Sequence, residues 1–541
     1  MLNNLILTVF LIIIAAGWLK KRPDVFLTSA LVFTFAAPVM RLGSSSFNSS
    51  YLLTALLVLL SLIDMVFKRR ASHPVPRVLK LFAGLMALVL FTYTAGFILH
   101  GTAGAGSFIV SMAGEINIIV LTLLLALNFS WETSAARSRI FVLTGWIFVG
   151  LQAGMVLFQK LFFEPAWKLT YQLFAGDGRQ EPLEMILVSD PPFFKRAYGT
   201  FYSPTLFGLA ALVPTLLFGY LAIASHHEAR RLKAETETDA ESSDPSAYSQ
   251  ACRRSLIYLA GSFLGGLIGT FSLSKGFMLS IGILLIYLLF IALIIGKRPR
   301  LAYLFPWSRV AVSIALAFVI VYVSMPSFAS GTRDYYFGFL FNPFSALTSR
   351  YGSGAGSGGE GGINVEPVDS IPISDENRTA LPAAETSSIT SAFGPPAIVM
   401  LTAQGYAPGT QIPLPTDSEG NVLVPVHEES SGGGGQMAQT YDVFRRHWLT
   451  GVGPLPIEGE FLGDSQIVQA GHNGGVLAVG AYLGLFVWLY VKAWKERQVI
   501  NLLLMPVIAI GCISIAFLGQ VVSVGIMVLA LTAALPERLS A

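Results

Sequence analysis

Charged side chains are scarce in this chain of 541 residues, because Asp, Glu, Lys and Arg together make up only 12% of it. Soluble globular domains carry about twice that fraction, roughly 25%. The formal net charge is +3, so neither sign dominates. These shortages argue against a water-soluble domain and give no reason to expect a nucleic-acid partner.

Cysteine is scarcer still, with two residues in the whole chain, Cys252 and Cys512. The first lies in a predicted cytoplasmic loop and the second within a predicted membrane span, so the two cannot pair. The sequence therefore excludes a disulfide framework.

Hydrophobic residues are abundant instead, at 53% of the chain, and they form long runs. A helix needs roughly 20 apolar residues to cross a bilayer. We predict an all-α polytopic membrane protein with about 13 transmembrane helices and a large external loop that contains a short amphipathic helix. The runs lie at residues 4–19, 25–40, 51–67, 78–99, 104–127, 139–162, 199–224, 255–271, 276–296, 309–326, 472–491, 500–516 and 518–534.

The orientation of these spans is predicted from the Lys and Arg clusters, because cationic loops are retained on the cytoplasmic side. Threading the spans puts the clusters on one side and places the N-terminus outside and the C-terminus in the cytoplasm. The first span has no cation before it, which is the reverse of a secretory signal peptide. The clusters are Lys20-Lys21-Arg22, Lys68-Arg69-Arg70, Arg230-Arg231, Arg253-Arg254, Lys297-Arg298 and Lys492 to Arg497.

Two external segments are unusually long for a protein that only conducts or carries solutes. The predicted segments are N-terminal membrane helices at 1–163, an external loop at 164–198, membrane helices with a cytoplasmic linker (225–254) at 199–326, a large periplasmic loop at 327–470 and C-terminal membrane helices at 471–541. Within the large loop, Gly/Ser runs delimit residues 351–435, which we predict to be flexible. Residues 441–448 have apolar side chains at helical spacing, which predicts an amphipathic helix on the membrane surface.

The segment Gly471-His472-Asn473-Gly474-Gly475 places an imidazole where the large loop meets an apolar helix. With an unperturbed pKa of about 6.5, His472 is a natural general base, although a polar helix cap is the alternative interpretation. Asn473 could orient the imidazole, contact sugar hydroxyls or act as a helix N-cap. Glu115 lies in the middle of the fifth predicted span, where a carboxylate is costly, so we expect either a structural pair or part of an acceptor path.

Four external cations are candidates for binding an anion: Arg196 and Lys275 lie beside predicted span ends, Arg350 lies at the head of the large loop, and Arg445 lies in the predicted amphipathic helix. Arg offers a planar fork to phosphate oxygens and Lys a point charge, so such residues suit a membrane-anchored diphosphate. Binding of lipid headgroups is the alternative. For the large loop, Arg350 and the pair Arg445/Arg446 both remain candidates.

These residues resemble the bacterial O-antigen ligase and O-antigen polymerase superfamily, the WaaL-like and Wzy-like membrane glycosyltransferases. Four pieces carry the resemblance in the order of the family: Arg196 with Gly199-Thr200-Phe201 and Ser203-Pro204, the hairpin Ser272 to Gly276, Arg350 or Arg445/Arg446 followed by Gly451-Val452-Gly453-Pro454, and His472-Asn473 leading into Tyr482-Leu483-Gly484. The match covers roughly residues 190–490. The sequence departs from the pattern in having Lys275 where Arg is usual and in the long interval between Arg350 and Tyr441.

The resemblance implies transfer of a glycan from undecaprenyl diphosphate to an acceptor hydroxyl at the outer face of the bacterial inner membrane, with no cofactor and no metal. His472 would be the base, and Arg196, Lys275 and Arg350 or Arg445 would neutralise the departing diphosphate. The implied partners are the lipid-linked glycan, a glycan or lipid A core acceptor and the bilayer, with a chain-length regulator left open.

Four alternatives stay open at this stage. A polymerase joins lipid-linked repeat units and is favoured slightly because the enlarged loop could hold a growing glycan, whereas a ligase transfers the finished chain to lipid A core. A flippase for lipid-linked oligosaccharides is a rival from another class, but no internal repeat or pair of broken helices in matching halves supports it. A structural scaffold would tolerate replacement of His472.

Overall fold

The protein is described here from a computed structural model, which covers residues 2–36, 39–42, 45–66, 75–101, 104–174, 197–201, 204–238, 245–295, 301–324, 443–454, 466–514 and 521–535. The described residues are almost entirely helical. Their helices of twelve residues or more are α1 (Leu2–Leu19), α2 (Pro23–Ala36), α3 (Ser50–Val66), α4 (Arg77–His100), α5 (Ala105–Ser130), α6 (Ser134–Leu161), α7 (Phe163–Phe174), α8 (Pro204–Thr238), α9 (Pro245–Phe271), α10 (Lys275–Ile295), α11 (Leu301–Ser324), α12 (Gln466–Lys495), α13 (Val499–Ser514) and α14 (Val521–Ala533).

Every predicted apolar run overlaps one of these helices, but the run count is not a count of membrane spans. Seven helices are long and apolar enough to cross a membrane: α4, α5, α6, α8, α9, α11 and α12. The apolar parts of α1, α2, α3, α10, α13 and α14 are shorter, at 10–17 residues. The described residues therefore support a helical protein with seven candidate membrane helices, and the predicted total of about 13 spans stays a prediction.

The outer faces of several helices are strongly apolar. Phe91 and Ile98 on α4, Val110 on α5 and Val323 on α11 are between 68% and 74% exposed. Soluble monomers rarely present contiguous apolar surfaces of more than a few hundred Å². A surface with such side chains on helix after helix is suited to contact with lipid.

A small β-hairpin corrects the predicted second span, which was expected to stay helical to residue 40. Helix α2 ends at Ala36, and strands β1 (Val39–Leu42) and β2 (Ser45–Asn48) then pair antiparallel, with Val39 opposite Asn48. The sequence has Pro38 between the helix and the first strand, and proline has no amide proton for a helical hydrogen bond. The apolar run continues past the point at which the helix stops.

The predicted cytoplasmic linker at 225–254 is largely helical in its described part. Helix α8 continues to Thr238 and α9 begins at Pro245, so only 239–244 lie outside the described residues of that linker. The sequence His226 to Glu237 is rich in Ala, Arg, Lys and Glu, which favour helix, and Arg231 forms an i,i+4 ion pair with Glu235 at 2.6 Å. The predicted apolar run ends at residue 224, but the helix continues because these polar residues favour helix.

The packing that matters for function joins distant parts of the chain. Helix α12 packs along α4, and α4 in turn packs against α5. Helices α8 and α9 form the most extensive pair, and α6 contacts both α2 and α9. Helix α12, from the last fifth of the sequence, therefore lies against a helix from the first fifth.

Candidate functional site

Helix α12, which begins at Gln466, is broken at Gly475. Gly475 has φ 63° and ψ −161°, so it leaves the helical conformation while residues on both sides keep it. A Cβ built at this position would collide with the backbone of Leu449. Glycine is required here by the conformation and by the close approach of another segment.

The break is stabilised by an exchange of backbone hydrogen bonds with residues 448–453. In an unbroken helix the carbonyl of His472 would accept from the amide of Val476. Here that carbonyl accepts from the amide of Val452 at 2.8 Å, and Val476 donates to the carbonyl of Trp448 at 2.7 Å. The carbonyl of Asn473 likewise accepts from Gly453 at 3.0 Å. The Gly-Val-Gly segment singled out in the sequence thus completes the hydrogen bonding at the helix break.

Residues 443–446 form one helical turn, and the chain then passes between α12 and α4. The predicted amphipathic helix at 441–448 is therefore shorter in its described part, because residues 447–450 are in a turn. The ring of Phe444 packs on Gly471 so closely that a Cβ added to Gly471 would lie 3.0 Å from it. Trp448 is largely exposed. Gly451, with φ 63°, has its backbone so close to His472 that no side chain would fit.

His472 lies at this break and is almost fully buried, with 1% of its surface exposed. Its Nδ1 is 2.8 Å from Oδ1 of Asn473. Because that oxygen only accepts, the proton is on Nδ1 and the lone pair is on Nε2. Nε2 is buried and has no hydrogen-bond partner in the described part of the chain. Leaving such an atom unpaired costs about 1–3 kcal/mol, so the arrangement is unfavourable unless something else occupies the space facing Nε2.

A line of polar groups continues from Asn473 into the bundle. Asn473 and Tyr482 of α12 both interact with the hydroxyl of Tyr93 on α4. All three side chains are buried. Since Oδ1 of Asn473 faces His472, its amide NH₂ is the group available to Tyr93. The asparagine therefore links the imidazole to two buried phenols.

Glu115 joins this network electrostatically. Its carboxyl group, on α5, lies within range of the hydroxyls of both Tyr93 and Tyr482. No cation among the described residues forms an ion pair with it. The structural pair considered from the sequence is therefore not found in the described residues, and the groups near Glu115 are phenols. The residue is mostly buried, with part of its surface exposed.

The opposite side of His472 faces the turn that carries His447. Helix α4 ends at His100, and its ring lies 4.3 Å from that of His447, centroid to centroid. Burial lowers the pKa of His447, and the nearby His100 and Arg446 lower it further. Arg445 and Arg446 on the same turn are exposed.

A second polar cluster holds residues 198–200 against α6, and we refer to it as the glutamine clamp (Gln152, Gln159, Thr170 and residues 198–200). Oε1 of Gln159 accepts from the amides of Tyr198 and Gly199, both at 3.1 Å. Its Nε2 donates to the carbonyl of Gly199 at 2.9 Å and to the hydroxyl of Thr170 at 3.1 Å. One side chain therefore replaces the backbone partners that a strand or helix would supply.

Gln152, two turns earlier on the same face of α6, makes the matching contacts with the next residue. Its Oε1 accepts from the amide of Thr200 at 3.0 Å, and its Nε2 donates to the hydroxyl of Thr200 at 2.8 Å. The preceding residue, Ala197, donates its amide to the carbonyl of Phe271 at 2.8 Å. The clamp thus holds 198–200 on α6, and the amide of Ala197 joins the same segment to the end of α9, just before the hairpin at which Lys275 begins α10.

The structure brings together three of the residues predicted for the site: His472, Asn473 and Glu115. Arg445 is exposed on the turn above His472. Arg196 and Arg350 lie outside the described residues, and of Lys275 only the backbone is described. The diphosphate-binding role given to these four cations stays a prediction.

Sequence reasoning missed Tyr93, His100 and the two glutamines. The glutamines did leave a signal, because Gln152 and Gln159 are seven residues apart in an apolar run and so lie on one helix face. Tyr93 left none, since an aromatic residue in a membrane helix is ordinary. The described residues contain no group of three or more His, Cys, Asp or Glu placed to hold a metal ion.

The chain matches no protein-family model, no curated protein and no solved structure.

Proposed function

We propose that this protein is a membrane glycosyltransferase that moves a glycan from undecaprenyl diphosphate to an acceptor hydroxyl, most simply to another lipid-linked repeat unit. The observation that supports it is the state of His472. A buried imidazole is fixed through Nδ1 by Asn473 and presents an unpaired Nε2. That is the arrangement required of a general base that removes a proton from an incoming hydroxyl.

The chemistry balances around this group. The acceptor oxygen attacks the anomeric carbon, its proton passes to Nε2 of His472, and the bond from that carbon to the diphosphate oxygen breaks. Asn473 keeps the Nδ1 proton in place, so that Nε2 has the lone pair. Tyr93, Tyr482 and Glu115 offer hydroxyl and carboxyl groups suited to sugar hydroxyls, and we assign them to the acceptor side.

The departing diphosphate needs positive charge, and we assign this to Arg196, Lys275, and Arg350 or Arg445. The contact between Ala197 and Phe271 supports the pairing of the first two. Ala197 directly follows Arg196 in the chain, and Phe271 precedes the hairpin that ends at Lys275. Two cations on adjoining segments could contact the two phosphates of one donor.

We further propose a multi-pass protein of the bacterial inner membrane, with its N-terminus outside, its C-terminus in the cytoplasm and the His472 site at the outer face. The seven long apolar helices and their exposed apolar side chains support insertion in a bilayer. The distribution of Lys and Arg supports the orientation.

The test uses purified protein in nanodiscs supplied with lipid-linked repeat units alone, and product length is followed by gel and mass spectrometry. Wild type should give a ladder of products, and His472→Gln should lower the rate by about 10²–10⁴-fold, the usual contribution of general base catalysis. Gly480→Ala, on the same helix with open space around it, is the matched control and should retain activity.

The other outcomes separate the alternatives. If wild type gives no ladder but forms product when lipid A core is added, the enzyme is a ligase. If neither product forms and labelled lipid-linked oligosaccharide crosses proteoliposome membranes, the protein is a flippase. A His472→Gln variant as active as wild type would falsify the role given to this histidine.

A further inference from the structure

The pair of imidazoles formed by His100 and His447 is not used in the reaction described above. The two rings come from separate elements, the C-terminal end of α4 and the turn after residue 446. Their centroids are 4.3 Å apart and their planes are inclined by 40°. His447 is fixed by its backbone, since its amide donates to Val443 at 3.0 Å and its carbonyl accepts from Gly451 at 2.8 Å.

Among the described residues, the charged and titratable groups that act on His447 are all basic. His100 on α4 and Arg446 beside it on the turn act electrostatically on His447. His447 in turn acts electrostatically on His472 of α12. Arg445 is exposed on the same turn. No carboxylate among the described residues acts on His447. A positive charge on one ring disfavours a positive charge on the other, and an anion beside the rings would relieve that repulsion.

The position of the pair next to the reaction centre suggests which anion. Trp448 and Val452, which follow His447 closely in the chain, form backbone hydrogen bonds with the broken helix at Val476 and His472. His472 is buried, His447 is half-buried and His100 is exposed, so the three rings lead from the buried base to the surface. An anion bound by the outer pair would lie beside the site where the diphosphate leaves.

We propose that His100, His447 and Arg446 form a pH-dependent binding site for phosphate groups, which takes the diphosphate of the polyprenyl donor or of the released polyprenyl diphosphate. This inference rests on the proposed function for the identity of the ligand, but its chemistry requires only a dianionic phosphate group. Each imidazolium donates one N–H to a phosphate oxygen, and Arg446 adds positive charge from the same turn.

The direction of the pH dependence follows from proton linkage. The pKa of His447 is lowered in the free protein, so this ring is neutral at pH 7 and binding of an anion must be accompanied by proton uptake. Affinity therefore rises as the pH falls towards the usual histidine range, by about tenfold per pH unit for each proton taken up. At high pH the site retains only the charge of the arginines.

The test measures binding of inorganic pyrophosphate to the full-length protein in nanodiscs of neutral lipid, by isothermal calorimetry at pH 5.5 and pH 8. His447→Gln and His100→Gln are compared with wild type at each pH, which cancels the titration of pyrophosphate itself. Each variant should weaken binding at pH 5.5 by about tenfold or more and leave binding at pH 8 little changed. Arg22→Gln removes a cation elsewhere, one that pairs with Asp24 at 2.9 Å, and should have no effect.

Two further arms identify the ligand and separate this proposal from the catalytic one. Farnesyl diphosphate in the same nanodiscs should compete with pyrophosphate, whereas nanodiscs with phosphatidylglycerol should not, unless the pair is a site for lipid headgroups. His472→Gln should bind pyrophosphate as wild type does even where it loses transfer activity. Binding with the same pH dependence in wild type and in His100→Gln and His447→Gln overturns the proposal, whatever the result of the transfer assay.

Discussion

Two buried polar clusters tie loops to the helix bundle, and they differ in whether their hydrogen bonds are complete. In the glutamine clamp, Gln152 and Gln159 satisfy the backbone of residues 198–200 together with two threonine hydroxyls. No buried side-chain atom of that cluster lacks a partner. At His472 the backbone is equally well satisfied, but Nε2 has no partner among the residues that the structure describes. A complete network stabilises the fold, and an incomplete one leaves a group for a ligand.

The comparison predicts the largest loss of stability at the clamp. Gln159→Leu leaves two buried amides and a buried carbonyl without partners, at about 1–3 kcal/mol each. We expect a total loss of about 3–6 kcal/mol in the free energy of unfolding. This free energy is measured by unfolding the protein in mixed micelles with increasing SDS. Leu157→Ala, on the exposed face of the same helix, is the control and should change little. A Gln159→Leu protein as stable as wild type would show that the clamp does not stabilise the fold.

At the break in α12 we predict a smaller loss of stability, and a second glycine on the same helix provides the control. Gly475→Ala forces a side chain into a positive φ and against the backbone of Leu449, so we expect at least about 2 kcal/mol of destabilisation. Gly480→Ala meets open space in a regular helix and should stabilise by about 0.5–1 kcal/mol. The same titration compares the two variants. Equal effects at both positions would mean that the break at Gly475 is not a fixed feature of the fold.

The two clusters also differ in how far the sequence could predict them. The helices were predictable because long apolar runs are a strong signal. His472 and Asn473 could be singled out as candidate site residues because they are a polar pair beside glycines at the start of such a run. What lies around them could not be predicted. Tyr93 is nearly 400 residues away in the chain, and no periodicity indicates that α4 packs on α12.

Amphipathic and polar helices were the main failures of the sequence reading. Helix α7, Phe163–Phe174, fell in a segment predicted only as an external loop, because its twelve residues are too short and too polar for a span. Helix α8 extends beyond its apolar part because Ala, Arg and Glu favour helix without being apolar. The β-hairpin at 39–48 was missed for the opposite reason, since an apolar run alone does not distinguish a helix from a strand.

The smallest effect on stability is predicted at His472, where the expected effect on activity is large. Glutamine can still donate from its amide to Oδ1 of Asn473, and its amide oxygen takes the place of the imidazole acceptor Nε2. His472→Gln should therefore unfold within about 1 kcal/mol of wild type, because the bond to Asn473 is kept and one unpaired acceptor replaces another. The SDS titration checks stability and the product ladder checks transfer. If His472→Gln instead lost several kcal/mol in the free energy of unfolding, His472 would stabilise the fold as the glutamine clamp does. The Nε2 atom would then need an explanation other than a substrate hydroxyl.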